Sequence, residues 1–387
     1  MNTYCITDYG VLPNSLQLQT EQIQKVFDFC KEEGGIVIIP KGRYYVAALR
    51  MWSNMTLYLQ TGAEIYGSDN CDDYKVFPIP EGMPMRSDME VITQYYGKPW
   101  ETYRRAIITA YNEKNVAIVG EPHSIIDGQN CYDPNGEESY RGPHAVFFSC
   151  CENVLFEGYT IRHTGNFLHE ANNCRNLTMR HVTCLGGSDG IHLHCTEDAL
   201  IEDCLFKTGD DCIAGINVKN LLVNRCILNT SCNIFRIGGI NIRVENCYSY
   251  GPGYYPHRMT VVKGKNDELP RREGRHNTLF LVDYFANINF PEYPSKIHFK
   301  DCVFENLKGV LFYYADSTHL QNGTYLGELT FDNVAFVDLM ESSTPKAKID
   351  HPLNIVLKDV VYSFSEDSQQ IDLFTITEDS NVFIINK

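Results

Sequence analysis

The chain has 387 residues, of which 43% are hydrophobic and 21% charged; this excludes a disordered or collagen-like protein and supplies a sizeable core. The formal net charge is −16, which disfavours nucleic-acid binding over the surface as a whole. An acidic polysaccharide would also be repelled on average, so such a partner needs a local basic site.

The first residues, Met1-Asn2-Thr3-Tyr4-Cys5, lack a basic n-region and an apolar h-region. A cytoplasmic location is therefore expected, or a secreted or periplasmic one if a signal was removed. Ile23, Val26, Phe27 and Cys30 follow the i, i+3, i+4, i+7 spacing of a helix, with Thr20 as its N-cap and Gly34-Gly35 as its end. The strand Ile36–Ile39 follows, far too short to span a membrane. After it almost everything reads as short strands broken by Gly, Asn and Asp, apart from long loops about residues 70–105 and 251–276.

A repeat organises the middle of the chain. Its copies start at Asn153-Val154-Leu155, Asn176-Leu177-Thr178, Ala199-Leu200-Ile201, Leu221-Leu222-Val223 and Ile242-Arg243-Val244. The equivalent positions Tyr159, Val182, Cys204, Cys226 and Cys247 are separated by 23, 22, 22 and 21 residues (182−159, 204−182, 226−204, 247−226). A period near 22 with strand-like units and no helical half describes one coil of a parallel β-helix. A leucine-rich repeat of similar period would need L-x-x-L-x-L with an Asn ladder, which the sequence does not display. The fold class is thus all-β, one domain over 1–387, with the early helix capping the N-terminal end (about 1–45) where edge backbone would otherwise be exposed. Stacking places Cys204, Cys226 and Cys247 in one interior column. The 15 cysteines show no CxxC or zinc spacing and read as small hydrophobes of a reducing compartment.

Neighbouring coils lie about 4.8 Å apart, so the coil length predicts which side chains meet. One column runs Asn166, Asp189, Asp211, Asn233, Tyr255. A second, three residues on, runs His169, His192, Ala214, Arg236, Arg258. Between them Leu168, Ile191, Ile213 and Phe235 point inward. Asp210 sits beside Asp211 in the same turn. Carboxylates this close cannot all ionise freely, so at least one should hold its proton near neutral pH. One protonated and one ionised carboxyl are what glycoside hydrolysis requires. The alternative, that these Asp and Asn side chains only bond turn backbone, would hold for a lone Asp pair; the stacking of Asp189 on Asp211 beside a His/Arg column favours catalysis. Arg236 and Arg258 are candidates to clamp a substrate carboxylate bidentately, or else form ion pairs with Asp210 or a nearby Glu. His169 and His192 are candidates to bond sugar hydroxyls, or are ordinary turn histidines. Tyr313, Tyr314, Tyr96 and Trp100 are candidates to reach the cleft, or to pack loops. His163 and His181 lie outside both columns and read as structural.

Two turns carry a family resemblance: Gly187-Ser188-Asp189-Gly190, and one coil on Thr208-Gly209-Asp210-Asp211-Cys212-Ile213-Ala214. With Gly34-Gly35 to Gly42, Ser53–Leu57, Gly62-Ala63, Ile126-Asp127-Gly128 and the His169 coil, they resemble the polygalacturonases and rhamnogalacturonases of glycoside hydrolase family 28, over roughly residues 5–260. The resemblance implies a single-stranded right-handed β-helix of the pectin-lyase-like kind. It implies Asp210 as general acid, Asp189 and Asp211 positioning and deprotonating water, inversion at the anomeric carbon, and neither a metal nor an organic cofactor. The family's Gly-His-Gly turn falls on Cys232-Asn233-Ile234, so Asn233 replaces its histidine. Its Arg-x-Lys falls on Arg258-Met259-Thr260, leaving Lys263 or Lys265 to stand in for the lysine; Arg236 occupies a position where the family commonly has a small residue. The substrate-binding set expected is His169, His192, Asn233, Arg236, Arg258, Lys263 and Tyr313. The expected partner is a pectin-type oligosaccharide or polysaccharide, galacturonate- or rhamnogalacturonan-derived, cleaved from a chain end, with no nucleic acid or membrane partner. A lyase or uronate epimerase on the same fold, and a non-catalytic carbohydrate-binding or adhesin-like β-helix, are the competing readings.

Overall fold

The computed structural model describes residues 2–83, 103–136, 140–257, 278–286, 295–316 and 324–387. Short strands stack laterally into parallel ladders along a right-handed β-helix. One line runs through Met55–Leu59, Lys114–Gly120, Glu152–Glu157, Arg175–Arg180 and Glu197–Glu202. A second runs through Ala63–Gly67, Ile125–Asp127, Thr160–Arg162, Thr183–Gly186, Leu205–Thr208 and Ile227–Thr230. The third, which carries the site, runs through Ala106–Tyr111, His144–Ser149, His169–Asn172 and Ile191–His194, then into the long strands Ile213–Asn224 and Phe235–Glu245. Strand alternation sends one set of side chains inward. Val154, Phe156, Leu177, Met179, Ile201, Leu221, Val223, Ile242 and Val244 are buried in one continuous core. Among the described residues no helix is long and apolar enough to cross a membrane.

The expected cysteine column is present and longer than the repeat suggested. Backbone N–H groups of Cys226 and Cys247 donate to the sulfurs of Cys247 and Cys302 at 3.5 and 3.4 Å, so the stack continues past Cys247. Asparagine ladders, which the sequence does not display, are present in the structure. Asn115, Asn153 and Asn176 each donate a side-chain amide to the residue one coil before, starting from Asn54, at 2.6–2.8 Å. Asn220 and Asn241 continue the pattern from Asp198 at 2.8 and 2.9 Å. All seven residues have φ between 54° and 59°, a conformation Asn and Asp tolerate best among residues with a side chain. These ladders sit at exposed corners and fix coil spacing from outside.

The helix Thr20–Asp28 buries Ile23, Val26 and Phe27 as its spacing predicts. Thr20 is its first residue rather than its cap; the Thr20 hydroxyl accepts from the Ala47 N–H at 2.9 Å. Gln24 accepts from the Arg50 N–H at 2.8 Å and donates to the Arg50 carbonyl at 3.1 Å. Side chains of the helix thus satisfy backbone groups that another strand would otherwise seek. Gly34 ends this segment at φ 70°, where an added Cβ would stand 2.5 Å from the Asn54 carbonyl oxygen, so only glycine fits.

Candidate active site

Where the second line of strands hands over to the third, residues 187–190, 209–212 and 231–234 form stacked turns. The Gly190 N–H donates to Asp211 O at 3.0 Å and the Cys212 N–H to Asn233 O at 3.2 Å. This registry brings Asp189, Asp210 and Asp211 together, one oxygen from each lying within 4.8 Å of the other two. All three are buried. Asp189 Oδ2 lies 3.3 Å from His192 Nδ1. Asp211 Oδ1 accepts from both the backbone N–H and the side-chain amide of Asn233, at 3.2 and 3.0 Å. Burial, then the charge of Asp210, pushes the Asp211 carboxyl up to about 7, against the pull of Arg236 and the Asn233 hydrogen bond. The cluster therefore holds a proton near neutral pH.

Asp210 has a partner that the sequence reading missed. His257 Nε2 lies 3.2 Å from Asp210 Oδ1. Gly209 makes this approach possible, since a Cβ there would lie 2.0 Å from the Pro256 carbonyl oxygen. Asp283 was also missed. It pairs in register with Arg236, and its carboxylate lies 3.4 Å from Arg236 Nε; burial raises its pKa to about 6. The guanidinium lies over the Phe285 ring at 4.1 Å. Its ion pair is thus with Asp283 rather than Asp210, and its side chain stays one-third exposed.

The first column is corrected at its lower end, because Phe280 takes the place below Asn233, with the Ile234 N–H donating to the Phe280 carbonyl at 3.0 Å, and at its upper end, where Phe167 rather than Asn166 stands over Asp189. Tyr255 belongs to a loop that folds back onto the turn, where its carbonyl accepts from the Ser231 hydroxyl at 2.6 Å. Nothing in the sequence marks that Thr278–Tyr284 is the next strand to pair with Phe235–Glu245, so counting by a constant step puts Arg258 in the place that Asp283 takes.

The second column is corrected at its upper end as well. Residues 163–168 fill the turn between Arg162 and His169, and 186–190 fill the next one, six residues against five. The surplus residue slides the register by one, and a one-residue slip exchanges the faces of a strand. His169 accordingly pairs with Ile191, and Glu170 with His192. His169 points inward, fully buried, with Nε2 2.8 Å from the Tyr159 hydroxyl and Nδ1 3.1 Å from the Gly190 carbonyl. Burial lowers its pKa to about 4, so it is a neutral core histidine, not a sugar ligand. The stripe on the outer face of these strands is Glu170, His192, Ala214, Arg236, Asp283. His192 keeps its expected place, its ring stacked on Phe167 at 4.7 Å. Arg141 lies over the same Phe167 ring at 5.1 Å and donates to Asn166 Oδ1 at 3.0 Å.

Tyr313 is likewise corrected, since it is buried in the core with its ring edge-on to Tyr284 at 5.4 Å. Alternation turns its neighbour Tyr314 outward instead. Arg258, Lys263, Lys265, Tyr96 and Trp100 lie outside the described residues, as do most of the long loops about 70–105 and 251–276.

Residues 75–241 match the model of Glycosyl hydrolases family 28. The resemblance carried by the two Asp turns therefore holds over the stretch that contains them. The "probable polygalacturonase" of Vitis vinifera is 22% identical over 249 residues, covering 57% of this chain and 48% of its own length. An exo-poly-alpha-D-galacturonosidase of Dickeya chrysanthemi is 24% identical over 246 residues, covering 54% of this chain and 41% of its own. The chain thus spans under half the length of these two curated relatives. The family 28 exopolygalacturonase of Yersinia enterocolitica superposes with a TM-score of 0.71 at 16% identity, covering all of this chain and 78% of that one, a likeness of fold.

Proposed function

We propose that the chain hydrolyses glycosidic bonds in a pectin-derived oligosaccharide, acting from a chain end. The observation that carries this reading is the cluster of Asp189, Asp210 and Asp211, three buried carboxyls on stacked turns, where burial and crowding raise the pKa of Asp211. In the mechanism we favour, Asp210, the carboxyl facing His257, delivers the proton to the leaving oxygen. Asp189 and Asp211, the latter once the proton it shares with Asp210 has passed to that residue, hold the attacking water and take its proton. His192 and Asn233 orient these two carboxylates, each through a contact at 3.3 Å or less. Arg236, partly exposed over Phe285, offers charge to a uronate and the ring offers a flat face to a sugar. The names of the Dickeya and Yersinia relatives favour cleavage from the chain end.

Inversion is the stereochemistry the family resemblance implies, with Asp189 and Asp211 acting on a water; retention would need one of them to attack the sugar itself. Proton NMR of the first-formed anomer on a panel of galacturonate and rhamnogalacturonan oligosaccharides decides between them, and release of polymer-length fragments at early times would rule out exo action. Absence of new ultraviolet absorbance separates hydrolysis from β-elimination, for which Arg236 is poorly suited because Asp283 keeps it charged. Asp210→Asn is expected to lose about 10²–10⁴ in kcat while still binding sugar; unchanged turnover removes Asp210 from the mechanism.

A further inference from the structure

A second donor set shares Asp210. Asp210, Cys232 and His257 each offer one ligand atom, and these atoms lie within 4.8 Å of one another. They come from three segments: the turn 209–212, the turn one coil on, and the loop that Gly209 allows to close. The Asp210 carboxylate and His257 ring are about one-tenth exposed, so the set is shielded yet reachable by an ion. The Asn233 amide donates to Cys232 Sγ at 3.6 Å, holding the sulfur on the Asp211 side of the recess.

We propose that a zinc-class divalent cation binds Asp210, Cys232 and His257 and, by occupying the Asp210 carboxylate, switches off the proton donor. Sulfur, imidazole nitrogen and carboxylate oxygen in one hand-sized space suit zinc and its borderline relatives. Magnesium and calcium prefer all-oxygen shells. Water can complete a tetrahedron. On binding, the Cys232 S–H bond breaks heterolytically, its electron pair goes to the metal and its proton to solvent. Any proton on Asp210 leaves in the same way, and no electron changes hands. The net charge of −16 raises the local cation concentration. Binding stands on the donor geometry alone; the inhibitory consequence rests on Asp210 being the acid.

The test uses the full chain, stripped with a chelator and titrated with Co²⁺ as a spectroscopic stand-in for zinc. The expected result is a thiolate-to-cobalt charge-transfer band that Zn²⁺ then abolishes. Cys232→Ser removes the band, and His257→Ala weakens cobalt binding by at least about 10-fold, with far-ultraviolet circular dichroism confirming the fold of both. Zn²⁺ should stop hydrolysis at the concentrations that displace cobalt. No band at millimolar Co²⁺, or a band that survives in Cys232→Ser, overturns the site. Cobalt displacement without inhibition overturns the switch and leaves the hydrolase reading to Asp210→Asn. Turnover surviving in Asp210→Asn overturns the acid assignment, and the spectrum still judges the metal site by itself.

Discussion

At the scale of single residues, the site works by holding charge where water cannot relieve it. The Asp211 carboxyl is raised from its ordinary value near 3.8 to about 7. The folded state therefore favours the protonated form, so the stabilising contribution is fully present below pH 4 and lost as pH rises through about 7. Asp211→Asn, which cannot ionise, should match wild type in melting temperature at pH 4. By pH 8 it should gain on the order of 2–4 kcal/mol over wild type while losing activity; a gap that does not widen with pH would mean the carboxylate is not destabilised by the fold. His169 runs the other way. Its pKa is depressed to about 4, so its contribution is complete above pH 6.5 and disappears as pH falls through 4. His169→Ala should cost about 2–4 kcal/mol in urea unfolding at pH 7 and leave KM for sugar within about twofold, the split expected of a core residue. The acids were legible in the sequence because their neighbours, two coils of nearly equal length, are separated by a constant step. His257 and Asp283 were not, because both follow Tyr248–Ser249, after which the constant coil step ends.

At the scale of elements, alternation and spacing were legible wherever strands were regular. Val154, Leu177, Leu221 and Ile242 all turned inward, and Cys204, Cys226 and Cys247 stacked as counted. Turn length was not legible, since Gly, Ser, Thr and Asn fit five-residue and six-residue corners alike. Hence the error at His169, while the shorter-range pairing of Asp189 with Asp211 survived. Corner ladders offer an element-scale test. Asn220 bonds both Asp198 and Asn241 and sits at φ 56°. Asn220→Ala should lower stability by about 1–3 kcal/mol by urea midpoint, and Asn220→Gly should recover the part due to backbone conformation. Equal losses in the two variants would assign the whole effect to the side-chain amide.

At the scale of the whole molecule, the coil stack is quasi-one-dimensional, so its ends matter more than those of a compact globule. The N-terminal helix meets that need with side chains, chiefly Gln24 on Arg50 and Thr20 on Ala47. Gln24→Ala should cost about 1–3 kcal/mol, and light scattering during thermal unfolding should show earlier aggregation; unaltered scattering would mean that the helix shields the end by bulk alone. The six-residue corner at 163–168 has a consequence for how such molecules diversify. The next coil makes the same bend in five residues, 186–190, so a single codon lost within 163–168 would leave His169 opposite Ile191 and every strand face as it is. Bends in this architecture can thus shed or gain a residue while the strands they join keep their orientation, which frees the rim to vary without disturbing the interior.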